Sequence, residues 1–247
     1  MKWRTHIAIA KTVADVLGLG REARRALITG SIEPDKRPDV KFRVSGRGAY
    51  AVRISHHNPS LRLIMGHVWK ARRSYLEERE HEALRNLGRA LHYVQDMSVS
   101  KGILGLHHDS REDRVASLEV PVGAVREGVA AAVSSPHYVE KVIRQLRPQG
   151  DARVALDVAC RASGAVAAAV LSRREPPEEL MEDFASARRR YLKVTVPLSF
   201  AVSLLFLVSA LATQNPTLVL GVLSGYFVQL LDRKYHYLRK EVKWYGK

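Results

Sequence analysis

An uncharged, apolar segment near the end of the chain places the strongest limit on its fold. Residues 194–231 contain no charged residue and no histidine over 38 positions. A helix on the surface of a soluble domain normally keeps one polar face, and this segment has none. Residues 194–212 are long enough to cross a bilayer as a helix, and residues 217–231 form a shorter apolar partner. We therefore predict a two-helix transmembrane hairpin; the alternative is a helical hairpin buried in a soluble core.

Positive charges flank both outer ends of this segment, and its central turn carries none. The flanking basic residues are Arg188, Arg189, Arg190, Lys193, Arg233, Lys234, Arg239 and Lys240. Lys and Arg accumulate on the cytoplasmic side of membrane proteins, so both ends are expected there. The first residues lack the apolar run of a signal peptide, so the soluble part is also expected to remain in the cytoplasm. The prediction is a membrane protein whose soluble domain faces the cytoplasm.

The overall composition indicates the kind of partner. The formal net charge is +15, from 40 Lys and Arg against 25 Asp and Glu. A chain this basic is typical of proteins that meet anionic surfaces. We expect a phospholipid or membrane surface as the partner, with nucleic acid less expected because of the hairpin. Cys160 is the only cysteine, which excludes an intrachain disulfide and a thiolate zinc cluster.

Hydrophobic periodicity and capping residues predict an all-α fold. A helical domain is expected over residues 1–190, and the hairpin with a basic tail over residues 191–247. Helices are predicted over residues 5–16, 21–29, 60–77, 79–97, 122–133, 136–146 and 151–171, with a last one opened by Pro176 and Pro177. Gly30 is expected to end the second helix. The prolines and glycines between residues 30 and 60 predict a long connection with one extended pair around residues 42–54.

Two pairs of a histidine and a carboxylate carry the chemistry of the N-terminal half. His92 and Asp96 stand four residues apart in a predicted helix, so both side chains lie on one face about one turn apart. His108 and Glu112 repeat this spacing. Imidazole and carboxylate ligands suit zinc where cysteine is lacking. A single such pair is more often an ordinary surface contact, whereas two pairs together with further histidines favour a metal site.

The decamer L-G-R-A-L-H-Y-V-Q-D at residues 87–96 resembles the signature helix of the zinc-dependent phospholipase C family. That family shares its all-helical fold with the single-strand-specific zinc nucleases. Four further stretches occur in the family's order: T-H-I-A-I-A (5–10), G-S-I-E-P-D (30–35), S-H-H-N-P (55–59) and H-D-S-R-E (108–112). The resemblance covers about residues 1–115 and not the hairpin. It implies a phospholipase C-like helical bundle, to which the predicted membrane hairpin is an addition.

The resemblance implies a site with one to three zinc ions. Asp96 would bridge two of them, and Asp35 would be the active-site carboxylate that orients or deprotonates the attacking water. Asp39 is an open alternative for that role. The metal ligands that the family motifs imply are the amino group of Met1 and the side chains of His6, His56, His92, Asp96, His108 and Glu112.

Two departures from the family pattern affect the expected number of metals. Ten residues after the central histidine the family usually has another histidine, and this chain has Gly102. The metal shared with His108 and Glu112 then lacks one ligand, unless His107 replaces it. In secreted members, signal cleavage exposes an amino group that binds metal; here the amino group of Met1 would take that part.

The predicted function is a membrane-anchored, metal-dependent phosphodiester hydrolase of phospholipase C type that uses a metal-activated water. Two alternatives stay open. One is a non-catalytic metal-binding membrane protein of the same fold, which Gly102 in place of a ligand histidine favours. The other is a nuclease of the related fold, because a basic surface would suit a nucleic-acid backbone equally well.

Overall fold

Helices make up 76% of the residues that the structure describes, which confirms the all-α prediction. The computed structural model describes residues 1–46, 48–53, 59–100, 108–172 and 174–247, with the backbone alone at 41–43, 45, 108 and 109. The chain divides into two compact units, Met1–Arg173 and Arg174–Lys247. The sequence placed a domain boundary after residue 190, whereas this division groups the preceding helix with the apolar segment.

The first unit consists of helices and one two-stranded sheet. Its helices are α1 (Trp3–Val16), α2 (Arg21–Lys36), α3 (Leu61–Leu76), α4 (Glu80–Met97), α5 (His108–Ala116), α6 (Val122–Ala130), α7 (Pro136–Gln145) and α8 (Ala152–Leu171). The strands β1 (Val40–Ser45) and β2 (Gly48–Arg53) pair antiparallel, with Val40 opposite Arg53. This pair confirms the extended segment predicted between the second and third helices.

Helix α4 lies at the centre of the first unit and packs against α2, α3 and α8. It buries Leu84, Leu87 and Leu91, whose spacing of three and four residues places them on one helix face. Helix α8 buries a run of alanine and valine side chains. Small side chains let neighbouring helices approach closely, so α8 forms the second core helix against which α4 and α6 pack.

The crossing of α2 and α4 depends on two glycines. A Cβ atom on Gly30 would lie 2.1 Å from the carbonyl oxygen of Arg85, and one on Gly88 would lie 2.4 Å from that of Leu27. These distances are too short for any side chain, so the two backbones are in direct contact. The helix end predicted at residue 29 is therefore wrong. Helix α2 continues through Gly30, because this glycine serves a close approach between helices and does not end one.

The second unit contains one long helix, a shorter apolar arm and a basic terminal helix. Its elements are α9 (Glu178–Arg190), a π-helical turn (Tyr191–Thr195), α10 (Val196–Thr213), a 3₁₀ segment (Pro216–Leu223), α11 (Ser224–Leu230) and α12 (Arg233–Trp244). The first three join into one continuous helix, Glu178–Thr213. The 3₁₀ segment and α11 form the shorter arm, and Asp232 caps α12 by accepting from the backbone of Tyr235.

Two helices among the described residues are long and apolar enough to cross a membrane. One is α8, but 67% of its apolar window is buried inside the protein, as in the core helix of a soluble domain. The other is Glu178–Thr213, of whose apolar window 11% is buried. The neighbouring apolar helix Pro216–Leu230 is shorter. The segment predicted as a hairpin thus consists of two adjacent apolar helices with little of the long one covered.

Short polar contacts hold the two apolar arms together. The Ser199 hydroxyl donates to the carbonyl of Gly225 at 2.7 Å and accepts from the Gln229 amide at 3.0 Å. The Ser203 hydroxyl donates to the carbonyl of Val222 at 2.8 Å. A Cβ on Gly225 would lie 2.4 Å from the carbonyl oxygen of Ser199, so the helices touch there. Close contacts of this kind, with hydrogen bonds between helices, are typical of helix pairs in apolar surroundings.

The two glycines of the α2–α4 crossing generate a stability prediction. Gly88→Ala should lower the free energy of unfolding by about 1–3 kcal/mol, because the added methyl overlaps the backbone of α2. The matched control is Gly66→Ala in α3, where nothing lies within 4 Å of an added Cβ. This control should raise the free energy of unfolding by about 0.5–1 kcal/mol, because alanine favours a helix more than glycine. Urea unfolding of the full chain, followed by circular dichroism, measures both; equal effects would contradict the close crossing.

Candidate metal centre

The candidate site lies where three helices of the first unit converge. Helix α1 supplies His6, α2 supplies Asp35, and α4 supplies His92 and Asp96. The helical spacing of four residues places the last two on one face of α4, as the sequence predicted. His6 and His92 are fully buried, Asp96 is buried, and Asp35 is partly buried. One ligand atom from each of His6, Asp35 and His92 lies within 4.8 Å of the other two, which is close enough to hold a metal ion.

The carboxylate of Asp96 faces both histidines. Its Oδ1 lies 3.3 Å from Nε2 of His6, and its Oδ2 lies 3.2 Å from Nε2 of His92. Nε2 of His92 also lies 3.6 Å from Oδ1 of Asp35. The two imidazole rings stack with their centroids 4.3 Å apart. Asp96 therefore presents one oxygen to each ring.

The outer nitrogen of each imidazole is held by a hydrogen bond. Nδ1 of His92 donates to the carbonyl oxygen of Ser31 at 2.9 Å. Nδ1 of His6 lies 2.6 Å from Oε1 of Gln95, whose amide nitrogen donates to the Ser163 hydroxyl at 3.1 Å. Since these acceptors are oxygens, Nδ1 donates the hydrogen bond in both rings, and Nε2 faces the carboxylate of Asp96. Metal-binding histidines are usually oriented by such contacts.

Two buried polar atoms of the centre make no hydrogen bond with the described residues. They are Nε2 of His6 and Oδ2 of Asp96. Buried polar atoms are nearly always satisfied in folded proteins, and one left unpaired costs about 1–3 kcal/mol. Both atoms lie on the side of their residues that faces the cluster, where a bound cation would satisfy them together.

The electrostatics of the cluster favour metal-binding charge states for His6 and Asp96 but not for His92. Burial lowers the pKa of His6, and the neighbouring His92 lowers it further. Burial alone would raise the pKa of Asp96, but its contacts with His6 and His92 hold it well below its usual value. Burial likewise opposes a proton on His92, yet Asp96 raises its pKa. A neutral imidazole and an ionised carboxylate are the forms in which these side chains bind metal ions.

The amino group of Met1 lies beside the same carboxylate. Its nitrogen is 2.5 Å from Oδ1 of Asp96 and 2.8 Å from Oε1 of Glu112, and it is buried. Burial opposes its protonation, but the two carboxylates raise the pKa of this amino group above its usual value. In this structure the group is an ammonium that joins α4 to α5 through two ion pairs.

The structure brings together six of the eight residues that the sequence proposed for the site. They are Met1, His6, Asp35, His92, Asp96 and Glu112. The proposals for His56 and for the side chain of His108 lie outside the described residues, as do Gly102 and His107. Whether any of the eight binds metal stays a prediction.

Asp39, the alternative to Asp35, belongs to a different set of contacts. Its carboxylate accepts from the Tyr93 hydroxyl at 2.6 Å, from Nε2 of His67 at 3.0 Å and from Arg89 at 2.9 Å. Burial opposes ionisation, but the hydrogen bonds from His67 and Tyr93 lower the pKa of Asp39 far below its usual value. Its oxygens are thus engaged by three side chains, whereas Asp35 faces His92 in the cluster.

Arg89 fixes the end of α2 that carries Asp35. Its guanidinium lies 3.3 Å from Glu33 and 2.9 Å from Asp39, the carboxylates on either side of Asp35 in the sequence. Arg85 forms a second ion pair with Glu33. The sequence did not reveal these positioning residues. Their spacing along the chain is no different from that of charged residues that form ordinary surface ion pairs.

Comparison with known proteins gives no relative: no protein-family model, no curated protein and no solved structure matches this chain. The resemblance to the zinc-dependent phospholipase C family therefore stands on the quoted motifs alone and stays a prediction. The function has to be argued from the geometry of the cluster and from the apolar arms.

The hydrogen bond between His6 and Gln95 generates a prediction about metal affinity. Gln95→Leu keeps the volume of the side chain but removes the acceptor that orients His6. Loss of such a contact should weaken zinc binding by about 10–100-fold. Gln145→Leu is the control, since Gln145 is exposed on α7. Competition with a chromophoric chelator measures the affinity, and equal affinities in the two variants would show that Gln95 does not orient a ligand.

Proposed function

We propose that the protein is a membrane-anchored, metal-dependent phosphodiester hydrolase of phospholipase C type. The observation that carries the proposal is the buried cluster of His6, Asp35 and His92 around the carboxylate of Asp96. The ammonium of Met1 neutralises part of the buried carboxylate charge, and a metal ion would compensate the rest. The order of the motifs along the chain adds the phospholipase C-like interpretation.

The donor set fits zinc. His6 and His92 offer imidazole nitrogens whose other ring nitrogen is already hydrogen-bonded, and Asp96 offers both oxygens of an ionised carboxylate. These are the ligand types that zinc takes when thiolates are lacking. Glu112 and the amino group of Met1 lie beside Asp96 as well, and the amino group would have to lose a proton before it could bind a metal. In this proposal His56 and His108 complete the ligand set.

When bound, zinc lowers the pKa of water towards neutrality and polarises a phosphoryl oxygen. Asp35 is the residue suited to handle that water. Its side chain is 16% exposed, whereas that of Asp96 is 1% exposed and that of Glu112 is 8% exposed. A general base needs contact with both water and substrate. Asp35 would accept the proton of the attacking water while the bond from phosphorus to the glycerol oxygen breaks, and then return the proton to that oxygen.

The lengths of the two apolar arms support membrane anchoring. The 18 residues of α10 rise ~1.5 Å each and span roughly 27 Å. The shorter arm has eight 3₁₀ residues that rise ~2.0 Å each and seven α-helical ones, and it spans roughly 26 Å. The 3₁₀ segment thus lengthens the short arm until it matches its partner. Both lengths approach the ~30 Å hydrocarbon core of a bilayer.

The surface of the arms supports the same conclusion. Phe200, Leu211 and Leu220 are each at least 70% exposed and belong to the segment 194–231, which contains no charged residue. Arg190 pairs with Asp232 at 2.5 Å, so the charged ends of the two arms lie together. Tyr191 and Tyr235 stack there at 4.0 Å, in keeping with the aromatic residues found at membrane interfaces. A hairpin that leaves and re-enters on the cytoplasmic side has these properties, and it would hold the soluble unit near phospholipid.

One observation favours a second candidate, a non-catalytic membrane protein of the same fold. The amino group of Met1 already neutralises part of the charge of Asp96 and Glu112 as an ammonium. If this ion pair persists in the presence of zinc, the cluster serves stability alone. Hydrolytic activity therefore separates the two candidates.

The proposal is tested with the full chain, supplied with zinc, on vesicles of phosphatidylcholine and phosphatidylglycerol. We expect release of phosphorylated head groups, and Asp35→Asn should lower the rate by about 10²–10⁴-fold while zinc content stays within about twofold. Asp157→Asn, on the exposed face of α8, should leave the rate unchanged.

A zinc-loaded chain that releases no head group would favour the non-catalytic candidate. Faster cleavage of single-stranded DNA than of lipid would favour the nuclease. Equal rates for Asp35→Asn and Asp157→Asn would contradict the role given to Asp35.

A further inference from the structure

A pocket of about 440 Å³ lies at the charged end of the hairpin, within the second unit. Basic and apolar side chains make up most of its lining. The basic ones are Arg190, Arg233 and Lys234, and the apolar ones include Leu198, Val228 and Leu231. None of them belongs to the metal cluster. A pocket lined by both basic and apolar side chains complements a phospholipid, which has an anionic phosphate and apolar acyl chains.

The charged side chains that line the pocket, which we call its mouth, carry a net positive charge. Asp232 is the acidic residue of the lining, and its carboxylate accepts from Arg190 at 2.5 Å, from the Thr195 hydroxyl at 3.0 Å and from the backbone of Tyr235 at 3.3 Å. Arg190 therefore neutralises it. Arg233 makes no ion pair with any residue that the structure describes, and it is exposed.

Lys234 is the third cation of the mouth. It lies 3.0 Å from Asp183, and each side chain of this pair is more than half exposed. Exposed pairs of this kind contribute little and exchange readily. The mouth is thus able to offer two cations, Arg233 and Lys234, to an anionic group, and guanidinium and ammonium groups together suit a phosphate.

The apolar wall continues from the mouth along both arms. Val194 and Leu198 follow each other by one helical turn on the long helix, and they are 57% and 52% exposed. Val228 and Leu231 face the pocket from the shorter arm, and Leu231 is 73% exposed. A free phosphate would make no contact with this wall, whereas an acyl chain of a bound phospholipid would pack against it.

We propose that this pocket binds one anionic phospholipid, with the phosphate held by Arg233 and Lys234 and an acyl chain lying along Leu198 and Val228. The inference rests on the membrane anchoring proposed above and is independent of hydrolysis at the metal cluster. Its consequence is that the hairpin carries a specific lipid at its cytoplasmic end, beyond the general attraction between a basic protein and an anionic surface.

The test uses the full chain in detergent micelles and native mass spectrometry, with phosphatidylglycerol and phosphatidylcholine as probes. We expect one phosphatidylglycerol to be retained per chain, with at least about tenfold preference over phosphatidylcholine, since one charge-assisted contact is worth about that factor. Soluble glycerol phosphate should not displace the lipid. The double variant Arg233→Gln, Lys234→Gln should lower retention by about tenfold or more.

The matched control is the double variant Arg239→Gln, Lys243→Gln, which removes the same charge from exposed positions of the same helix. It should change retention by less than about twofold, and Arg233→Gln alone should lower retention in the same direction as the first variant. Equal losses in the two double variants would overturn the pocket in favour of diffuse attraction. Equal retention of the two lipids, or displacement by glycerol phosphate, would also overturn it.

Flotation of the chain with vesicles after an alkaline wash tests the membrane anchoring separately from the lipid pocket. A chain that floats but retains no phosphatidylglycerol contradicts the pocket and leaves the anchoring intact. A chain that does not float contradicts the anchoring and the pocket together. Head-group release by the metal cluster is measured separately and does not enter either result.

Discussion

The polar centre of the first unit depends on the contacts of the buried Asp96 carboxylate. It lies within 3.3 Å of both His6 and His92, and its Oδ1 lies 2.5 Å from the Met1 amino group. An isolated carboxylate at this depth would lose several kcal/mol of solvation free energy. The surrounding groups compensate that loss, and each of them is oriented from outside by a further contact. The centre therefore ties α1 to α4 through polar contacts as well as through packing.

The candidate site could be predicted where its residues follow a helical spacing or the order of a motif. The interval between His92 and Asp96 sets both on one face of α4 in any helix, and His6 was found by its place in the motif order. The contacts that orient them could not be found in the same way. His92 donates to a backbone carbonyl, which every residue carries, and the role of Gln95 depends on which helix α1 faces. The choice between Asp35 and Asp39 likewise depends on tertiary contacts.

The fold shows the same limit. Periodicity and composition predict the all-α architecture and the two apolar arms, because each is a property of a local stretch. The end of α2 was predicted wrongly, because Gly30 is locally a stop signal and only the approach of α4 reveals its other use. The 3₁₀ geometry of Pro216–Leu223 is also invisible in the residue pattern, yet it gives the short arm its length. The end of α2 and the length of the short arm thus depend on tertiary packing and backbone geometry, which the residue pattern does not show.

The zinc content of the full chain, purified with an unmodified Met1 and dialysed against excess zinc, decides whether the Asp96 cluster is a metal centre. We expect at least one tightly held zinc ion per chain, measured by elemental analysis. We also expect Asp96→Asn to lose the metal and Asp157→Asn to keep it. A wild-type chain that binds no zinc, or an Asp96→Asn chain that binds as much as the wild type, would contradict a metal centre at Asp96.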